Sequence, residues 1–432
     1  MKINKSKLIV IILLCFSISL GIAYKKRAQI KNLIHTIIYP PTYVNVDYTD
    51  KEFLKIQPRD FKKLATLGVK YTFISPEETY TFPTEIHTYN FAKNDLPNFS
   101  NFKNTYKTQE LGVLEGADLI VLPNAHYQQH PWYIKEDYFF KPFKEISEDE
   151  KKRIIEHNKF EFDQGTIRIE KSVKLVKIDG TSLMYIGESN VYHQIIEFFP
   201  AFLNYKKGDK VIYKHDSKLV HAALDYMEVP LEDRVFIDND HFYSTEKVII
   251  PAINHGGNNS APNKIETMKG VQLLKEKSAK FASDIKPLGT YIYVSRADTG
   301  GSTKRSVANE KKLVDELKKR GFKVIVPGKH TLAEQVKMFK EAKVIMGPHG
   351  AGLTNLLFAD NFKALIELFP ENFQCNCFLK LSQINNAKEY HGLAFYSVES
   401  PTAENVQGKN VDFVVDIPKT LEIVDKVIEK YK

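Results

Sequence analysis

Residues 344–358 read VIMGPHGAGLTNLLF. An apolar run, Val344 to Met346, passes into Gly347, Pro348, His349, Gly350, Ala351 and Gly352, and then into an apolar stretch suited to a helix. Glycines at such a turn let a ligand or a second backbone come close, and the first amides of a following helix have no intrahelical acceptor. Those amides and the helix dipole favour an anion, and a phosphate is the natural guest. A tight strand-to-helix turn without a ligand would read the same way, and His349 would then be a structural histidine.

The flanking sequence repeats this rhythm. YIYVSR at 291–296, a helix over 306–320, FKVIVP at 322–327 and a helix from Thr331 precede it, and KALIELF at 363–369 follows. Thr331 with Glu334 has capping-box spacing. Further upstream, Ser189 or Asn190 can cap a helix to about residue 205, with Val191, Ile195, Phe198 and Phe202 as its apolar stripe. KVIYKH at 210–215, a helix over 217–227, VFI at 235–237, KVIIPAI at 247–253 and a polar helix over 264–282 continue the series. Short apolar strands alternating with amphipathic helices predict an α/β protein with parallel sheets covered on both faces. Lys286, Pro287 and Gly289 mark the main boundary near 283–288. Before residue 187 the signal is only of strands, over 70–83, 117–123 and 166–187, with loop-like Asn-, Lys- and Tyr-rich sequence between the first two.

Two features add chemistry to the turn. Glu367 stands at the carboxyl end of the next strand, where an acid can accept bonds from a ribose diol. Arg296 and Arg305 bracket ADTGGSTK at the end of a strand of the same presumed sheet, and they are two of only 8 arginines against 53 lysines. A guanidinium grips phosphate oxygens bidentately, as an ammonium cannot. Turn, acid and arginines together predict a nucleoside diphosphate site.

Composition bounds the alternatives. The chain has 432 residues, 43% hydrophobic and 26% charged, enough to bury sizeable cores, so wholesale disorder and collagen are excluded. Of the formal charge of +8, residues 1–46 carry +7 and the other 386 carry +1. A near-neutral body lacks the basic footprint of a nucleic-acid binder. Residues 8–24 are uncharged and lie between basic clusters, which predicts an uncleaved single-pass membrane anchor whose orientation the flanks leave open. The 3 cysteines, Cys15, Cys375 and Cys377, form neither a disulfide framework nor a four-ligand zinc set.

The run SRADTGGSTKRSVANE, then Gln335, GPHGAGLTNLLF and ALIEL, resembles glycosyltransferase family 61 at Arg296, Arg305, Asn309, Glu310, Gln335, residues 347–355 and Glu367. NVYHQIIEFFP at 190–200 is similar to a second motif of that family through His193, Glu197 and Pro200, with Gln194 in place of its usual Trp. The resemblance covers about residues 185–370. It implies a GT-B architecture of two Rossmann-like domains: an anchor and stem over 1–45, an acceptor-side domain over 46–285 and a nucleotide-sugar domain over 286–432.

The activity it implies is inverting transfer of a sugar from a nucleotide-sugar, a UDP-sugar being expected, to a glycan, glycolipid or protein hydroxyl, without a cofactor or divalent metal. Donor binding falls to Arg296, Arg305, Asn309, Gln335, His349, Gly350, Ala351, Gly352, Asn355 and Glu367. His193 and Glu197, four apart on one helix face, are the candidates for proton transfer from the acceptor. Three alternatives remain at this stage. Asp238 and Asp240 could hold a divalent ion on the diphosphate. The protein could be a non-catalytic membrane-tethered nucleotide or sugar binder. A nicotinamide oxidoreductase fits worst, because Gly347, Gly350 and Gly352 have the reverse of the dinucleotide fingerprint spacing.

Overall fold

The computed structural model describes residues 42–46, 51–55, 65–75, 79–81, 83–89, 105–108, 111–116, 119–122, 132–135, 138–140, 160–163, 166–169, 173–185, 190–214, 216–237, 241–252, 260–297, 305–371, 375–396 and 411–432. The protein is α/β, and its contacts divide it into two compact units. Among the described residues no helix is long and apolar enough to cross a membrane; the anchor read over 8–24 lies outside them.

The first unit draws on Met1–Ser75, Leu111–Ser189 and Ala201–Asn254. The βαβ rhythm read from sequence is present: Lys210–Tyr213 and Arg234–Phe236 pair in parallel, with the helix Lys218–Tyr226 between them in the chain. Ser217 caps that helix, its side chain accepting from the Val220 amide at 3.2 Å. The long strands Val173–Met184 and His241–Ala252 are also parallel to each other. The rest of this 13-stranded sheet is largely antiparallel, with pairs such as Leu119–Leu122 on Trp132–Lys135 and Phe160–Asp163 on Thr166–Ile169. The unit is therefore mixed where a Rossmann-like domain is expected. Only two residues, Gln164 and Gly165, separate the last pair, a connection that allows an antiparallel hairpin and no crossover.

The second unit draws on Pro76–Glu110, Asn190–Pro200 and His255–Lys432. The described residues 79–81, 83–89, 105–108, 190–200 and 260–285, which the sequence reading assigns to the amino-terminal domain, thus belong to the same unit as the carboxyl-terminal one. Its six-stranded sheet is wholly parallel, in the order Lys323–Ile325, Tyr291–Val294, Val344–Pro348, Ala364–Pro370, Glu389–Phe395, Glu85–Tyr89. From residue 291 onward this is the doubly wound order 2-1-3-4-5. Every residue of the strands starting at Val344, Ala364 and Glu389 is buried, as a parallel sheet covered on both faces requires. The edge strand Glu85–Tyr89 has no counterpart in the sequence reading. The Glu85 amide bonds the Lys388 carbonyl at 2.8 Å, and the Thr84 hydroxyl donates to Ala387 at 2.8 Å.

Helix starts follow local chemistry. Thr331 forms the full capping box with Glu334 on Leu332–Phe339, and Asn263 caps Lys264–Ser278. The helix read from 306 begins instead at Glu310, because Phe413 takes the Ser306 carbonyl and the Ala308 amide into a bridge. The segment read as one helix over 190–205 is helical throughout but changes pitch. Asn190 caps Val191–His193, a π turn spans Gln194–Phe198, and a 3₁₀ turn spans Phe199–Asn204. Pro200 accounts for the break, since it has no amide to continue the ladder.

Candidate active site

The strands Tyr291–Val294 and Val344–Pro348 are neighbours, yet the chain leaves the first toward one edge of the sheet and the second toward the other. Outside the carboxyl ends of such a strand pair, open α/β sheets bind ligands. Arg296 follows the first strand and Gly350 the second. Gly350 has φ 169, extended backbone that any residue adopts, so the glycine is there for space. A Cβ on it would collide with Arg296 Nη1 and lie 2.9 Å from Cζ. The guanidinium therefore rests on the loop backbone. Gly347 serves the same close packing, since its Cβ would stand 2.5 Å from the Val294 carbonyl oxygen.

The Leu353 amide closes the first helical bond to Gly350 at 2.9 Å, which leaves the Ala351 and Gly352 amides ahead of it with no acceptor in the helix. The helix Ala351–Phe358 is 3₁₀ along its length, longer than such helices usually run. Asn355 donates to the Gly352 carbonyl at 2.9 Å and to Gln335 Oε1 at 2.8 Å, taking the carbonyl that an α-helical bond would use. Gln335 in turn donates to the Pro327 and His330 carbonyls, each at 3.1 Å. Asn355 and Gln335 thus brace the loop from within the protein.

Below the loop lies a sealed polar cluster. Glu367 has 0% exposure; one oxygen bonds His349 Nδ1 at 2.5 Å and the other accepts from the Tyr390 hydroxyl at 2.7 Å. Both oxygens are committed inside the protein, so Glu367 positions His349, where the sequence reading makes it a ribose acceptor. Burial raises the Glu367 carboxyl above its ordinary value, against the opposing charge and hydrogen bond of His349. Burial alone would lower the His349 ring, but the Glu367 charge and hydrogen bonds to Cys375 and Glu367 carry it above its ordinary value. Cys375 and Cys377 stand on the ring's other side, their sulfurs 3.1 Å apart. Hydrogen bonding to Cys377, followed by that to His349, pulls Cys375 down to about 4, while burial holds Cys377 well up.

Arg305 reaches the same cluster. Burial lowers its guanidinium below the ordinary value, and the charges of Cys375, Cys377 and Glu367 oppose that shift. Its φ of 125 lies where L residues are strained, at a cost of about 1–3 kcal/mol. Asp412 holds that backbone in place, accepting from the amides of Arg305 at 3.3 Å and Ser306 at 2.8 Å. Asn309 is not part of the cluster: its side chain exchanges two bonds with the Val415 backbone, at 2.8 and 3.0 Å. Glu310 is likewise internal, accepting from Tyr293 and Ser295.

His193 reaches the cluster through aromatic contacts. Its ring packs edge-on against Tyr192 at 5.2 Å, Tyr192 against Phe378 at 5.7 Å, and Phe378 against His349 at 4.9 Å. Glu197 lies on the π turn, and its side chain is outside the described residues, as are Asp238 and Asp240. Sequence reading missed Cys375, Cys377, Tyr390 and Phe378 as members of this neighbourhood. The signal available was position: Cys377 opens, and Cys375 just precedes, the first helix after the strand that carries Glu367, at the sheet edge where ligands bind.

Residues 191–366 match the family model described as Glycosyltransferase 61. That segment, less than half of the chain, is a glycosyltransferase family 61 domain. The matched segment holds His193, Arg296, Arg305, the glycine loop and the first three residues of the Ala364–Pro370 strand, and it ends one residue short of Glu367. No curated protein matches the chain. Among solved structures, the bacterial iron-containing dodecameric glycosyltransferase TibC of enterotoxigenic E. coli is 12% identical, covers 61% of this chain and 76% of its own, and has a TM-score of 0.23. The family 61 match makes the protein a glycosyltransferase, with a sugar donor and a glycan acceptor as its partners.

Proposed function

We propose that this family 61 enzyme is inverting and of GT-B type, with the second unit holding a nucleotide-sugar, a UDP-sugar, whose sugar passes to a hydroxyl of a glycan, glycolipid or protein. The observation that supports this most is the Arg296 guanidinium lying on Gly350 at the switch point, beside the Ala351 and Gly352 amides. The acceptor oxygen attacks the anomeric carbon and gives up its proton to His193, with Glu197 setting the basicity of that ring. The bond from that carbon to the diphosphate oxygen breaks, and the nucleoside diphosphate leaves carrying the electron pair. The Arg296 guanidinium and the two amides beside it, with Arg305 as the second guanidinium, are assigned to that charge and can stabilise it without a divalent ion on the phosphates. Residues 8–24 tether the enzyme to a membrane.

Donor binding and turnover test this together on the full chain. Arg296→Ala should lose affinity for nucleoside diphosphates, read as a lost ligand-induced rise in melting temperature. His193→Ala should abolish transfer and keep donor binding; lost binding with turnover retained would move His193 out of the proton-transfer role. Full turnover in excess chelator separates this mechanism from one with an ion held by Asp238 and Asp240. A chain that binds donor and turns over none of a panel of donors and acceptors would be a non-catalytic binder.

A further inference from the structure

Cys375 and Cys377 have no part in sugar transfer as proposed, yet both face the His349 ring. Cys377 Sγ is 3.9 Å from His349 Nε2 and 3.1 Å from Cys375 Sγ, and the three atoms all lie within 4.8 Å of one another. Two sulfurs and an imidazole nitrogen are the donor set of a zinc-class cation; magnesium and calcium take oxygen. Around a tetrahedral zinc, with bonds of about 2.3 Å to sulfur and about 2.0 Å to nitrogen, the sulfurs would stand roughly 3.8 Å apart and each roughly 3.6 Å from the nitrogen. The sulfurs need to part by about 0.7 Å and Cys377 to close on the ring by about 0.3 Å, shifts that side-chain torsions supply.

A second observation points the same way. His349 is already oriented as a metal-bound histidine is: Nδ1 is bonded to Glu367, which Tyr390 fixes in turn, so Nε2 is the nitrogen that faces the sulfurs. Metal-bound imidazoles nearly always have such a carboxylate or carbonyl on the other nitrogen. Phe369 and Phe378 pack against the ring at 5.3 and 4.9 Å and give the site an apolar wall. The other group of potential ligands, His87, Glu389 and His391, is less suited. Glu389 already holds the Lys430 ammonium, and the two rings stack face to face at 4.7 Å.

We propose that His349, Cys375 and Cys377 bind one zinc-class ion per chain, with the fourth position open. On loading, both sulfurs bind as thiolates and His349 Nε2 as an unprotonated nitrogen, any protons those three atoms carry leaving to solvent, and the two thiolate charges offset the charge of the ion. The ion is not on the donor phosphates, so the site stands or falls independently of the transfer reaction.

Cobalt titration of the reduced, chelator-stripped full chain tests this. One equivalent should produce the visible ligand-field bands of tetrahedral cobalt and a thiolate-to-cobalt band in the near ultraviolet, both erased by zinc. Cys375→Ser with Cys377→Ser should lose the bands, with Cys15 left in place. Glu367→Gln should weaken binding about 10- to 100-fold. Only octahedral cobalt spectra, or bands that persist in the double variant, would overturn the site. A folding defect in that variant is bypassed with the unaltered chain: zinc should protect Cys375 and Cys377 from alkylation, located by mass spectrometry, and unchanged labelling of both would also overturn it.

Discussion

Two histidine–glutamate pairs sit in one parallel sheet and meet opposite electrostatic fates. His349 follows the carboxyl end of Val344–Pro348, beside the glycine loop and both arginines, and Glu367 reaches it from the middle of the next strand. His391 and Glu389 lie at the amino side, Glu389 being the first residue of its strand, with His87 in register beside His391. At the carboxyl side the acid is sealed and bonded by a tyrosine, and the ring's affinity for a proton rises. At the amino side burial lowers the His391 ring, the Glu389 bond opposes that and the His87 charge adds to it, while the Lys430 ammonium takes part of the Glu389 charge. Residue types alone do not set a histidine's charge; the partners brought by neighbouring strands do. In the proposed function, parallel topology then separates the roles, with chemistry at the carboxyl edge and stability at the amino edge.

The largest expected effect tests that separation directly. Arg296→Ala should cut turnover by roughly 10²- to 10³-fold, the scale of losing one preorganised charge donor, with the melting temperature little changed. His391→Asn should leave turnover intact, and a comparable loss there would erase the distinction. Gly350→Ala comes next: the new methyl displaces the Arg296 guanidinium, and a misplacement of about 1 Å should cost about 100-fold in turnover, measured by steady-state kinetics.

Glu367→Gln should lower unfolding free energy by about 1–3 kcal/mol, since the amide cannot satisfy both His349 and Tyr390 as the carboxylate does; urea denaturation measures it. At the amino edge the expected effect is a pH dependence. The His391 ring binds its proton less readily folded than unfolded, so its contribution is complete above its ordinary value of 6.5 and lost as pH falls through the lower folded one. Glu389, held low overall by bonds from Lys430 and His391 although burial raises it, adds a further loss below its ordinary 4.5. His87, Lys430, Tyr431 and Glu85 face the same pair. Urea midpoints between about pH 7.5 and about pH 5 should fall, and His391→Gln should flatten that fall. Lys430→Met should give the smallest change, a slightly earlier acid transition, because its ammonium is exposed and screened.

Much of the second unit was legible because its signals are local. Alternating apolar strands and amphipathic helices marked the α/β class, and Thr331 with Glu334 marked a helix start that the structure reproduces. The glycine turn and Arg296 were legible as residues of one edge. Other features depend on distant chain. The strand Glu85–Tyr89 pairs with Glu389–Phe395 about 300 residues later, and its sequence, EIHTY, has no apolar alternation to announce it. Asn309 looked like a ligand contact and is held by Val415, across 106 residues. The antiparallel part of the first unit was read only as scattered strands, because pairing is decided by partners and not by each strand's composition.

From sequence alone came the rhythm of elements, the glycine-rich turn, and the family 61 resemblance. Those follow from periodicity, glycine and short motifs, each confined to a few neighbouring residues. Only the tertiary structure decided that Arg296 rests on Gly350, that Glu367 turns inward to His349, and that two cysteines complete a soft donor set beside it. Strand register and burial bring those groups together, and in a low-dielectric interior the neighbours so chosen determine which side chains carry charge.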